Sequence, residues 1–81
     1  SIGISEIIKN YYTTKNNFFN ASLKEKKIYE IEFDNNFKNP KIIDEINVGE
    51  RIRDIIYNKL NGKYYLYLED TPNLAILENA N

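Results

Sequence analysis

Cysteine and histidine are both absent from this sequence of 81 residues. Without cysteine the chain can form neither a disulfide nor a thiolate metal site. Without histidine it lacks the side chain that most often acts as a general base near neutral pH and most often binds metal ions. Carboxylates, lysines and tyrosines are the groups that remain for proton transfer. These absences exclude any enzyme whose base or metal ligand would have to be a histidine or cysteine of this chain.

The sequence also has little net charge and no long apolar run. Its formal net charge is -1, so no overall field attracts it to nucleic acid or to an anionic membrane surface. No apolar stretch is long enough to cross a bilayer. We therefore expect no nucleic-acid partner and no membrane partner. Because the sequence begins at Ser1 without a methionine or an apolar leader, we expect it to be part of a longer protein.

The residues that are present favour β-structure. Hydrophobic residues make up 42% of the chain, which is typical of a folded domain rather than a disordered segment. Short runs of β-branched and aromatic residues are separated by turns rich in asparagine. Asn61-Gly62 is the strongest hairpin signal, because both residues tolerate a positive φ. Seven strands are predicted, at residues 4–8, 18–23, 28–33, 41–46, 49–57, 63–69 and 74–78.

The predicted strands repeat along the chain. Residues 4–8 match residues 52–56 in the order apolar, polar, acidic, apolar, apolar, at an offset of 48, and residues 18–32 align without gaps with residues 64–78, at an offset of 46. Near-equal offsets predict a unit of about 40 to 50 residues with four short antiparallel strands, which is the size of one propeller blade. The predicted fold class is therefore all-β, with antiparallel four-stranded blades. The alternative is two unrelated meanders whose hydrophobic patterns coincide.

The repeat divides the chain into one blade at residues 1–47 and most of a second blade at residues 48–81. Two blades cannot close a ring, and they would expose apolar faces and unpaired strand edges. We therefore expect the remaining blades to come from a longer protein or from further copies of this chain.

Arg51 and Arg53 are the only arginines in the sequence. They stand two residues apart in a predicted strand, so their guanidinium groups are expected on one face. Two rigid and permanently charged groups on one face favour recognition of a single anionic partner. The alternative is a solvated strand face whose arginines pair with Glu50 or Asp54.

Several segments resemble one known family in their order and spacing. They are N-F-F-N-A-S-L-K at residues 17–24, I-Y-E-I at residues 28–31, E-R-I-R-D-I at residues 50–55, and Gly62 followed by L-Y-L-E-D at residues 66–70. The chain resembles the C-terminal part of the soluble glucose and sorbosone dehydrogenases, or aldose sugar dehydrogenases, which use pyrroloquinoline quinone (PQQ) on a six-bladed β-propeller. It departs from that pattern at Leu60-Asn61, where the family has proline and aspartate, and at Glu69, where the family has threonine.

The resemblance implies a role for three cations. Lys24 matches the family lysine that follows Ser-Leu and reaches the quinone, and Arg51 and Arg53 match the paired arginines that meet the carboxylates of the cofactor. The resemblance also implies a periplasmic or secreted location, an aldose substrate, and a catalytic histidine and calcium ligands in earlier blades of the intact protein. We expect neither the base nor a calcium site in this chain, and therefore no sugar oxidation by the isolated chain.

A second hypothesis is a non-enzymatic β-propeller or β-meander module that binds a protein or carbohydrate partner, or that self-assembles. The missing histidine and the exposed strand edges favour it. Tyr64, Tyr65 and Tyr67 are candidates for a sugar-stacking surface, although aromatic residues in strands more often form core and cross-strand contacts. Glu30 and Glu32 are interpreted as the solvent side of their strand.

Overall fold

Seven strands in two antiparallel sheets make up the secondary structure of the computed structural model, which describes residues 5–22, 24–72 and 74–78. The strands are β1 (Ser5–Lys9), β2 (Asn17–Ser22), β3 (Lys27–Glu32), β4 (Lys41–Asn47), β5 (Ile52–Asn58), β6 (Lys63–Leu68) and β7 (Ala75–Leu77). The described ranges contain no helix, and hence none that could span a membrane. The prediction of an all-β fold is confirmed.

The two sheets are consecutive in the chain. The first has the order β1-β2-β3-β4 and the second the order β5-β6-β7, and every neighbouring pair is antiparallel. The repeat in the sequence coincides with this division, because β6 begins and ends 46 residues after β2. Each sheet is therefore a meander, and the second has no counterpart of β4 in the part of the chain that the structure describes.

The strand bounds differ from the predicted ones in places. The fifth strand begins at Ile52, so Arg51 precedes it. The turn before β6 adopts a positive φ at Gly62 alone, since the backbone N–H groups of Asn61 and Gly62 both donate to the carbonyl of Asn58 and close a longer turn. Ile4, Leu23 and the tail at residues 79–81 lie outside the described residues.

The hydrophobic core lies between the two sheets. We call the side of each sheet that is directed at the other sheet its inner face, and the opposite side its outer face. The sheets approach each other through β1 and β2 on one side and β5 on the other, whereas β4 is exposed along most of its length. The buried core residues are Phe19, Ala21, Ile28, Ile52, Ile55, Tyr64 and Leu66.

A β-bulge adapts β5 to this core. The pairing with β6 shifts between Ile52 and Asp54, so Arg53 is an extra residue without a cross-strand partner. A regular strand would place residues three apart on opposite faces. Because of the bulge, Ile52 and Ile55 are both buried in the core, with 1% and 3% of their surface exposed, while Arg53 is exposed.

Residues that correspond in the repeat lie on opposite faces of their sheets. Phe19 and Ala21 are on the inner face of the first sheet, and 46 residues later stand Tyr65 and Tyr67. Since neighbouring side chains alternate along a strand and Tyr64 is in the core, Tyr65 and Tyr67 lie on the outer face of the second sheet.

The same inversion holds in the other direction. Tyr64 and Leu66 are on the inner face of the second sheet, and their counterparts 46 residues earlier are Phe18 and Asn20. These two alternate with Phe19 and therefore lie on the outer face of the first sheet. The two sheets thus pack through non-equivalent faces, as consecutive units of a stack do, and not as a two-fold symmetric pair.

Tyr64 joins the two sheets by polar contacts as well as by packing. Its side chain is fully buried, and its hydroxyl donates to the carbonyl of Lys9 at 2.6 Å and accepts from the N–H of Tyr11 at 2.7 Å. Burial raises the pKa of Tyr64 to about 12. Loss of the hydroxyl would leave two backbone groups of the β1–β2 connection unpaired, at about 1–3 kcal/mol for each one that stays buried.

The β1–β2 connection also holds the second sheet through its tyrosines. Tyr11 stacks on Tyr57 with ring centroids 4.5 Å apart, and Tyr12 packs edge-on against Tyr64 at 5.3 Å. The hydroxyl of Tyr12 donates to the carbonyl of Leu77 at 2.9 Å. The segment between the first two predicted strands is therefore part of the contact between the sheets.

Glu30 is not on a solvent face, which corrects the interpretation from the sequence. Its Oε2 accepts hydrogen bonds from the side-chain amides of Asn10 and Asn17, both at 2.8 Å. Asn10 and Asn17 are buried, so the carboxylate replaces the water that these amides lose on folding. The residues that surround Glu30 in the folded chain decide its role, and not the alternation of polar and apolar residues along β3.

Two carboxyl groups, those of Glu6 and Asp54, meet where β1 approaches β5. Desolvation raises the pKa of Glu6 above its ordinary value, and hydrogen bonding to the Asp54 carboxylate and repulsion from it raise this pKa further. The folded state therefore binds this proton more tightly than the unfolded state does. The resulting stabilisation is present below pH 4.5, the ordinary pKa of glutamate, and is lost as the pH rises through the raised pKa.

We predict that Glu6→Gln removes the loss of stability that accompanies the rise in pH. Glutamine keeps a donor for the Asp54 carboxylate and carries no charge, so the free energy of unfolding of the variant, relative to the wild type, should increase from pH 4.5 to neutral pH. Urea denaturation at a series of pH values measures it. Glu32→Gln on β3 is the matched control and should follow the wild type. A difference between Glu6→Gln and the wild type that does not change with pH would contradict the account.

Candidate functional site

The three predicted site residues lie at one edge of the two sheets, where strand ends meet: Lys24 and Arg51 are in connections, and Arg53 is the second residue of β5. Because neighbouring strands are antiparallel, β2 and β4 end at one edge of the first sheet, and β5 begins and β6 ends at one edge of the second. The N–H groups of Val48 and Gly49 donate to the carbonyl of Lys26 at 3.0 and 3.3 Å, which ties the β2–β3 turn to the segment before β5. Lys24 and Arg51 are therefore brought to the same edge of the fold, and Arg53 follows one residue into β5.

Arg51 precedes β5 and pairs with Glu69. Its Nε lies 3.8 Å from Oε2 of Glu69, and the two side chains are 60% and 48% exposed. The backbone N–H of Glu69 also donates to the carbonyl of Arg51 at 2.9 Å. An exposed ion pair of this length contributes about 0–1 kcal/mol, so the guanidinium of Arg51 remains available to a stronger carboxylate partner.

Arg53 owes its exposure to the bulge and makes no ion pair with any described residue. It lines an open cavity of about 570 Å³ beside the end of β6. The other lining residues are Asp54, Tyr67, Leu68, Glu69, Asp70, Thr71, Pro72 and Leu74. The prediction of one unbroken strand through both arginines is wrong, since β5 begins at Ile52 and Arg53 is the extra residue of a bulge.

The cavity carries more negative than positive charge. Among the described residues that line it, Arg53 is the one cation, whereas Asp54, Glu69 and Asp70 are carboxylates. A polyanion inside the cavity would be repelled by more charges than attract it. Lys24 and Arg51 are not among the lining residues, so an anion held by all three cations would lie over the rim of the cavity and not within it.

Glu50 organises the connection that borders the cavity. Its carboxylate accepts from the backbone N–H of Asp70 at 3.1 Å and from the hydroxyl of Thr71. Asp54 uses its Oδ1 to accept from the N–H of Ile55 at 2.8 Å. The two acids that the sequence offered as partners of the arginines are therefore engaged elsewhere, and Glu69 takes that place for Arg51.

Lys24 is exposed in the β2–β3 turn and makes no ion pair with the described residues. The turn itself is fixed by its neighbours. The N–H of Glu25 donates to the hydroxyl of the buried Ser22 at 3.3 Å, and the hydroxyl of Tyr29 donates to the carboxylate of Glu25 at 2.9 Å. The ammonium group of Lys24 thus projects from an anchored turn into solvent.

The predicted sugar-stacking tyrosines do not share one surface. Tyr64 is fully buried between the sheets, whereas Tyr67 is 44% exposed on the outer face of the second sheet. Tyr65 lies on that outer face too and accepts a hydrogen bond from the side-chain amide of Asn61 at 2.8 Å. The three residues therefore form no common platform.

Comparisons with known proteins add no relative, since no family model, curated protein or solved structure matches the chain. The part of the chain that the structure describes also contains no group of three or more acidic side chains placed to hold a metal ion. The interpretation of the site therefore depends on its residues and their geometry.

We predict that Glu50 and Glu69 contribute unequally to stability. Glu50→Ala removes the acceptor of a backbone N–H and a hydroxyl and should lower the free energy of unfolding by about 1–2 kcal/mol. Glu69→Ala removes only the exposed pair with Arg51 and should change it by less than about 0.5 kcal/mol. Urea denaturation of both variants is the measurement. Equal losses, or a larger loss for Glu69→Ala, would contradict the assignment of Glu50 as the acceptor that fixes the β6–β7 connection.

Proposed function

We propose that this chain forms two consecutive blades of a six-bladed β-propeller in a PQQ-dependent aldose dehydrogenase, and that Lys24, Arg51 and Arg53 contact the carboxylates of the cofactor. The observation that carries the proposal is the position of these three cations at one edge of the sheets. In the sequence Lys24 belongs to a different segment from the two arginines. A shared edge is what a ligand contacted by all three requires.

The arrangement of the sheets supports the propeller. Two meanders follow one another, repeat in sequence and pack through non-equivalent faces, which is how blades succeed each other around an axis. The sheets also approach each other through their first strands, β1 and β5, and through β2, whereas the last strand, β4, is exposed. In a ring of blades, this closer approach would put the first strand of each blade nearest the axis.

The cations suit the cofactor in charge and in geometry. PQQ carries three carboxylates, and guanidinium groups bind carboxylates through two parallel hydrogen bonds. Arg53 has no ion-pair partner among the described residues, and Arg51 has only the exposed pair with Glu69 at 3.8 Å. A ligand carboxylate would therefore have to displace only the weak, exposed ion pair of Arg51 with Glu69.

The neighbouring acids oppose the same ligand. Asp54, Glu69 and Asp70 line the same cavity as Arg53, so the net field near the rim weakens the binding of a polycarboxylate. The isolated chain should therefore bind PQQ weakly, and further cations or a metal ion from the rest of the ring would have to complete the site. Glu69→Gln should tighten binding, because it removes a negative charge and releases Arg51.

The part played by this chain in the reaction would be to bind and orient. When bound, PQQ supplies the electron acceptor for the hydride that leaves the anomeric carbon of the sugar. Lys24 and the two arginines would fix the position of the cofactor by contacting its carboxylates. The base that removes the proton of the anomeric hydroxyl would come from another blade, since this chain has no histidine.

The test is a calorimetric titration of the chain with PQQ. The wild type should show weak, saturable binding, and Arg51→Ala/Arg53→Ala should abolish it. The matched control is Lys38→Ala/Lys41→Ala, which removes two exposed positive charges from the β3–β4 connection and the start of β4 and should leave the affinity unchanged. Equal losses of affinity for PQQ in the two double variants would show that overall charge, and not a defined site, determines the binding. No saturable binding by the folded wild-type chain would contradict the proposed contacts.

The second candidate function is a non-enzymatic propeller or meander module that self-assembles or binds a protein or carbohydrate partner. The apolar residues on both outer faces favour it, among them Ile7 at 62% and Ile76 at 50% exposure. This alternative predicts no contribution of the arginines to quinone binding. The titration therefore distinguishes the two functions.

A further inference from the structure

The contact between the two sheets is directional. The inner face of the first sheet, with Phe19, packs on the inner face of the second, with Tyr64, at a ring-centroid distance of 5.1 Å. The repeat counterparts of these two residues, Tyr65 and Phe18, lie on the two outer faces. In the repeat, the outer face of the second sheet therefore corresponds to the inner face of the first sheet. The outer face of the first sheet likewise corresponds to the inner face of the second sheet.

Both outer faces present apolar side chains to solvent. On the first sheet Ile7 is 62% and Ile42 51% exposed, and on the second sheet Ile56 is 42%, Tyr67 44% and Ile76 50% exposed. Exposed apolar side chains on two opposite faces favour an interface in a small protein. The outer face of the first sheet also carries the exposed ion pair of Lys27 and Glu45.

The packing of Phe18 follows that of its buried counterpart. Tyr57 lies against Tyr64 in the core with ring centroids 4.7 Å apart, and the equivalent pair on the outer face is Lys9 over the ring of Phe18, with Nζ 5.4 Å from its centroid. The outer face of the first sheet thus repeats this one pair. Phe33 and Phe37 also pack edge-on against Phe18, with ring centroids 5.6 and 6.4 Å away, and cover part of that face.

We propose that copies of this chain associate head to tail, with the outer face of the second sheet of one copy on the outer face of the first sheet of the next. The order of faces is the one found within the chain, but the contact is apolar, because Phe18 stands at the position that corresponds to Tyr64 and has no hydroxyl. Such a contact is heterologous, so each copy uses two different surfaces, and the assembly continues until it closes into a ring or grows as a filament. The proposal depends on the packing of the sheets and not on the cofactor. Its failure would leave the titration with PQQ unaffected.

The test uses two variants that block one face each. Ile56→Lys/Ile76→Lys blocks the second sheet, and Ile7→Lys/Ile42→Lys blocks the first. All four side chains are at least 42% exposed, so both variants should fold, which circular dichroism checks. Milder double substitutions to glutamine replace any variant that does not fold. Leu60→Lys, at a loop position that is 92% exposed, is the control for the added charge.

Light scattering coupled to size exclusion gives the masses. The wild type and Leu60→Lys should form assemblies larger than a monomer. Each face variant alone should be monomeric, because every contact needs one face of each kind, and an equimolar mixture of the two should yield a dimer that contains one chain of each. A monomeric wild type would overturn the proposal. So would a face variant that still dimerises with itself, which is the result expected of a two-fold symmetric contact.

Discussion

The buried hydroxyl of Tyr64 is the interaction on which the rest of the structure depends. The side chain comes from the second sheet, and both of its hydrogen-bond partners, the carbonyl of Lys9 and the N–H of Tyr11, belong to the first. Apolar packing alone would allow the sheets to slide, because it has little directionality. Two hydrogen bonds to a buried side chain fix one arrangement, since any other would leave the hydroxyl of Tyr64 unpaired. In a chain of 81 residues with a thin core, this constraint determines which faces are inner and which remain exposed.

The bulge at Arg53 links this core to the candidate site. It places both Ile52 and Ile55 in the core. In a regular strand these two side chains would lie on opposite faces, so only one of them would be in the core. The extra residue is the arginine that lines the cavity. The same local irregularity therefore completes the core and exposes a cation with no ion-pair partner among the described residues. The carboxylates of Asp54, Glu69 and Asp70, which line the same cavity, oppose the binding of a polyanion beside it.

The sequence allowed prediction of the features that depend on local pattern. Alternation, the Asn61-Gly62 turn and the repeat at an offset of 46 gave all seven strands and their division into two meanders. It did not allow prediction of contacts made between distant segments. Glu30 alternates like a solvent-facing residue but accepts bonds from two buried amides, and Tyr11 is in a polar loop but packs on Tyr57 of the other sheet. The partner of Arg51 was likewise missed, because Glu69 reaches it only through the pairing of β5 with β6.

The most direct test of the central claim, that the two repeats pack through non-equivalent faces, is the set of nuclear Overhauser effects between aromatic rings in solution. The account predicts cross-peaks of the Phe19 ring with the ring of Tyr64, whose centroid is 5.1 Å away, and of the Tyr12 ring with Tyr64 at 5.3 Å. Selective labelling of phenylalanine and tyrosine would resolve them. Cross-peaks of Phe19 with Tyr65 in place of Tyr64 would show that the second sheet presents its other face, and would contradict the account.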